Sequence, residues 1–73
     1  MIIKIKVCEN EKYLLAVKYD KNIEIYSQDS RKSCESLLRD FFIMFNYKVS
    51  YVMMADWKLS SLNSIIKSFL EVR

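Results

Sequence analysis

The sequence predicts an α+β domain of two layers: a four-stranded mixed sheet in the order βββαβα, with both helices packed on one face. Three observations carry that expectation. The first 26 residues alternate apolar and polar side chains with the period of strands. Residues 34–45 repeat their apolar positions at helical spacing. A second pair of patterns, one of each period, follows between residues 48 and 71.

Ile3, Ile5 and Val7 share one face of a first strand, with Lys4, Lys6 and Cys8 on the other. Glu9-Asn10-Glu11-Lys12 then reads as a tight turn, with Asn10 in the positive-φ role, since Asn tolerates that region best after Gly. In a second strand Tyr13, Leu15, Val17 and Tyr19 share a face, opposite Leu14, Ala16 and Lys18. Asp20-Lys21-Asn22 makes another such turn. Ile23 and Ile25 continue the inward face of a third strand, opposite Glu24 and Tyr26. Short strands joined by tight polar turns predict an antiparallel meander.

Residues 27–33 are loop-like and rich in Ser and Asp, the side chains that cap free helical amides. Arg31 and Lys32 would oppose the helix dipole, which shifts the expected start toward Ser33. Cys34, Leu37, Leu38, Phe41 and Phe45 form the apolar stripe of a first helix ending near Asn46 or Tyr47. Lys48 to Met54 returns to strand period, with Val49, Tyr51 and Met53 on one side. A helical crossover from the third strand to this one predicts that the two run parallel. Asp56 is a plausible cap for a last helix with Leu59, Leu62, Ile65, Ile66 and Phe69 on one stripe. A start at Ser60 would instead leave Trp57 in the strand or a loop.

Seventy-three residues make a single compact domain over 1–73, close to the lower size limit for folding without a staple. A composition 52% hydrophobic and 29% charged argues for a packed chain over a disordered one. The net charge of +3 gives only weak support for an acidic or nucleic-acid partner. Met1-Ile2-Ile3-Lys4 alternates and lacks a basic leader, so no secretory signal is expected. The greasy run FFIMFNYKVSYVMM is broken by Asn46, Lys48 and Ser50 and falls short of a membrane span. Cys8 and Cys34 do not make a disulfide framework and are expected as reduced packing residues of a cytoplasmic protein.

The chain contains no Gly, Pro or His. Glycine-rich phosphate loops are thereby excluded, and so are triads and zinc sites that need an imidazole. Cys34 is the best nucleophile position, in a first helical turn beside Arg31 and Lys32, yet its spacing to Leu37, Leu38 and Phe41 places it on the buried stripe. The nine carboxylates are scattered over turns, helix starts and polar faces, with no spacing that suits a metal or an acid–base dyad. No enzyme, cofactor, metal or small-molecule substrate is expected.

Two surfaces remain. An outward sheet face carrying Lys4, Lys6, Lys18, Lys48, Ser50 and Tyr26 would hold a nucleic-acid backbone and stack a base, although lysines also serve to keep a face soluble. Phe42, Ile43, Met44 and Trp57 form a wide apolar set around and opposite the helical stripes, which suits a protein interface or a second copy of the chain. The reading that combines these is a small non-catalytic protein-interaction module whose partner is another protein or protein complex. A nucleic-acid-binding regulator is the alternative. A lone domain of AT-rich coding character without catalytic residues resembles, in general style and in no motif, the small inhibitors that phages and mobile elements encode. Anti-CRISPR proteins are among these, and the resemblance implies a viral inhibitor of a host complex.

Overall fold

The computed structural model describes residues 1–71. Its elements are β1 (Ile2–Lys6), β2 (Tyr13–Tyr19), β3 (Asn22–Gln28), α1 (Arg31–Met44), β4 (Ser50–Ala55) and α2 (Leu59–Glu71). The class, the element order and the four-stranded mixed sheet are those the sequence predicts. The strand neighbours and the layering are not.

The sheet order is β1-β3-β2-β4. β1 pairs in parallel with β3, Ile3 beside Ile23 and Ile5 beside Ile25, so the meander is replaced by a sheet in which β3 lies between β1 and β2. β4 is antiparallel to β2, as β3 is, so β3 and β4 do run in the same direction, separated by β2. The physical cause lies in β2. Leu14-Leu15-Ala16-Val17 is an unbroken apolar run, fully buried at all four positions. Such a run belongs to a strand covered on both faces and flanked on both sides. β1, with lysines at alternate positions, takes an edge, where every one of its residues is exposed.

Two buried faces need two covers. Leu15 and Val17 pack under α1 against Cys34, Leu38 and Phe41. Leu14 and Ala16, with Ile23 and Ile25 of β3, pack under α2 against Ile65 and Phe69. The helices therefore sit on opposite faces, and the domain has three layers instead of the expected two. The register explains the miss. Leu15 pairs with Tyr26 and Ala16 with Ile25, so Leu15 and Ile25, expected on one inward face, point to opposite helices.

Local chemistry sets the element ends. Ser30 is the N-cap of α1, its Oγ accepting from the Ser33 N–H at 3.1 Å, so the helix starts at Arg31 and not near Ser33. Arg31, unfavourable in a first turn, leans on Glu35 at 3.9 Å. The β2–β3 hairpin turns on Asp20 at φ 50°, where a Gly would be usual. Asn10 does not take up positive φ. It sits instead in a turn closed by Glu11 N–H donating to the Cys8 carbonyl at 3.0 Å, and its Oδ1 accepts from the Cys8 thiol. Buried Ser27 anchors that segment: its Oγ accepts from the Cys8 N–H at 2.6 Å and donates to Glu11 at 2.7 Å. Among the described residues no helix is long and apolar enough to cross a membrane.

Candidate functional site

The end of α1 builds the surface of interest. Three features end the helix as a Schellman motif. The Tyr47 N–H donates to the Phe42 carbonyl at 2.7 Å, the Asn46 N–H donates to the Ile43 carbonyl at 3.4 Å, and Asn46 lies at φ 53°. The motif's usual apolar contact is also present, as the rings of Phe42 and Tyr47 stack with centroids 5.7 Å apart. Tyr47 itself sits at φ 64°, an uncommon region for an aromatic residue and unfavourable by about 1–2 kcal/mol for any side chain with a Cβ.

β4 supplies the other wall. Tyr51 and Met53 point to the α1 face of the sheet, and Tyr51 meets Phe42 edge-on at 5.9 Å. Between the helix and this edge strand runs an open groove of about 750 Å³, lined by Phe42, Ile43, Tyr47, Tyr51 and Met53. Ile43 is 66% exposed, Tyr47 72% and Tyr51 49%, so a large part of the lining is apolar surface that the fold does not bury. Arg31, Glu35 and Arg39 edge the same groove. The Arg31–Glu35 pair is solvent-exposed and worth at most about 1 kcal/mol. Arg39 forms no ion pair among the described residues.

The four apolar residues expected at an interface therefore separate. Phe42 is half-buried and forms the floor of the groove, and Ile43 forms its rim. Met44 is 68% exposed but lies away from the groove lining. Trp57 is half-buried and does not line the groove. It lies in the β4–α2 connection, packs on the core under α2, and donates its Nε1–H to the Glu11 carbonyl at 2.7 Å. With Asp56 N–H donating to the Lys12 carbonyl at 2.8 Å, it ties that connection to the one between β1 and β2. Tyr47, Tyr51 and Arg39 join the site unforeseen. For Tyr47 the signal was present in the sequence: an Asn after a helix, followed by an aromatic five residues beyond Phe42, is the Schellman pattern.

The lysine face does not form. Lys4, Lys6 and Tyr26 lie on the α1 face of the sheet, Lys18 and Ser50 on the α2 face, and Lys48 in the α1–β4 connection. Tyr26 is also unavailable to stack a base. It packs against Phe41 at 6.2 Å, and its hydroxyl, like that of Tyr19, donates to Glu24. Burial, then the Glu24 hydrogen bond, pushes the Tyr26 pKa well above its ordinary value; for Tyr19 the Glu24 bond is the larger cause. Cys34 is fully buried, and burial raises its thiol pKa, with Asp29, Glu11 and Glu35 adding to the effect. That is opposite to what a nucleophile needs. Cys8, expected to pack, is exposed on its turn. No group of three His, Cys, Asp or Glu side chains among the described residues is placed to hold a metal.

No protein family model matches this chain, and neither a curated protein nor a solved structure shows significant similarity to it.

Proposed function

We propose that this chain is a non-catalytic protein-interaction module that takes its partner in the groove between α1 and β4. The observation that carries the reading is the composition of that groove. Three tyrosines, a phenylalanine, two methionines and two arginines are concentrated on one concavity. These are the residue types enriched at protein–protein interfaces and, for Tyr and Arg, at their energetic centres. The backbone of Tyr47 adds support, because an unfavourable conformation holds its ring at the groove mouth while leaving it largely in solvent. A small domain carrying such a groove would act as an inhibitor by occupying a surface of a host complex. Two unpaired thiols fit a reducing, cytoplasmic setting. The protein reading is favoured over the nucleic-acid one because the lysines divide between the two faces of the sheet.

The test uses two variant sets in the cells that make the protein. Ile43→Asp with Tyr47→Gly removes exposed groove residues and relaxes a strained backbone, so the helical circular dichroism should be unchanged. Partner capture should fall by about 30-fold in Kd, the effect of losing roughly 2 kcal/mol at a central residue. Reversing Lys4, Lys6 and Lys18 to Glu should leave capture intact. Unchanged capture by the groove variant, with loss by the lysine variant and a steep salt dependence, would overturn the reading in favour of nucleic acid.

A further inference from the structure

We infer that the free edge of β1 pairs with β1 of a second copy, joining two sheets into one continuous sheet of eight strands. The inference is independent of the α1–β4 groove. It starts from an anomaly of exposure. Met1, Ile2, Ile3 and Ile5 are 65%, 66%, 43% and 45% exposed, four large apolar side chains within five residues. β1 uses only one of its two edges, toward β3. The other presents backbone N–H and C=O groups without strand partners among the described residues, and the group that matches such a row is another extended strand. The opposite edge strand, β4, is better covered, with Val52, Met53 and Met54 all half-buried.

Lysines are the usual protection of such an edge, and here that protection is partial. Lys4 sends its Nζ over the Tyr26 ring of its own neighbouring strand, 6.0 Å from the centroid, which draws its charge inward across the sheet. Lys6 stands at the end of the strand. Ile3 and Ile5, which alternate with these lysines, lie on the α2 side of the sheet, the side on which Ile23 and Ile25 are already buried.

The sequence of β1 selects a second copy and a register. In an antiparallel pair about a two-fold axis, residues directly opposite share a face. With residue 4 on the axis Lys4 would oppose its own copy, and with residue 5 on the axis it would oppose Lys6, both unfavourable like-charge pairs. With residue 3 on the axis no lysines meet. Ile3 opposes the partner's Ile3, Ile2 the partner's Lys4, and Met1 the partner's Ile5. Within β1 residues 2–4 then pair on each side, whereas an axis at residue 2 would pair only Ile2. The strip is short, so the association belongs with weak, concentration-dependent contacts.

Sedimentation from micromolar to millimolar concentration tests the pairing. The apparent mass should rise from 8.8 kDa toward twice that value, and Ile3→Lys should hold it at 8.8 kDa throughout. A cross-link then tests the register, in a Cys8→Ser background because Cys8 is exposed whereas Cys34 is buried. Ile3→Cys should oxidise readily to a linked dimer, since directly opposed residues lie about 4.5–5.5 Å apart at Cα, within disulfide reach. Ile5→Cys should link far more slowly. A mass that stays at 8.8 kDa at every concentration, or a dimer abolished by Ile43→Asp and indifferent to Ile3→Lys, would overturn the pairing. Equal linking at positions 3 and 5 would overturn the register.

Discussion

Asn46 and the Tyr19–Tyr26–Glu24 cluster do work that other chains give to a glycine or a buried charge pair. The first is Asn46, which lets α1 stop in a chain that has no Gly at all. Its αL conformation is tolerated by Asn better than by other residues with a Cβ. Asn46→Gly should therefore stabilise the protein by up to about 1 kcal/mol, and Asn46→Ala should destabilise it by about 1 kcal/mol, read as shifts of the urea midpoint. Equal midpoints for the two variants would show that the Schellman geometry is not what holds this end. The second group is Tyr19, Tyr26 and Glu24, in which both phenols donate to one carboxylate. Both tyrosines have pKa values raised above the ordinary 10.0 in the folded state. Below about pH 10 the phenols are protonated in both states and their contribution is fully present. As pH rises beyond that, the unfolded chain releases protons that the folded chain retains, so stability falls. The thermal midpoint should decline with pH from about pH 10 upward, and less steeply in Tyr26→Phe, which keeps the ring but cannot ionise. An identical decline in that variant would remove Tyr26 from the account.

At the level of elements, local pattern was readable and pairing was not. Strand and helix periods in the sequence place all six elements, because alternation and the 3.6-residue stripe are properties of short stretches. What those periods cannot encode is which strand lies beside which. β1 and β2 are joined by residues 7–12, a connection long enough to pass β3, and alternation in β1 fits an edge beside β3 as well as beside β2. The run Leu14-Leu15-Ala16-Val17 did contain the correction, since an unbroken apolar stretch in a short strand asks for two covered faces. Strict alternation at that run would instead give the two-layer arrangement and the single lysine face. The groove was half legible for the same reason. Helical spacing exposes Ile43 and places Phe42 at the side of the stripe, but only pairing of β4 with β2 brings Tyr51 and Met53 alongside them. For Trp57 the loop position was one of the two the sequence allows, but its bond to the Glu11 carbonyl, 46 positions away in sequence, is not encoded locally.

The whole molecule is organised around one strand. β2 touches β3 on one side, β4 on the other, α1 above and α2 below, and buries Leu14 to Val17 without exposure. β1 is held by a single parallel ladder, the less stable kind of pairing per residue, and has no buried side chain of its own. Stability should therefore be graded outward from β2. Opening β1 exposes little apolar surface that is not already in water, whereas freeing β2 dismantles both halves of the core. In native-state hydrogen exchange on dilute protein, β2 amides should exchange only with global unfolding, on the order of 5 kcal/mol for a domain of this size. The amides of β1 should exchange through local opening at a distinctly lower free energy, with little dependence on denaturant because the opening buries and exposes so little area. Protection of β1 equal to that of β2 in the monomer would mean that the edge strand is part of the cooperative core. Its exposed isoleucines would then have to be counted as structural, while the outer edge of the strand would still be open to a second strand.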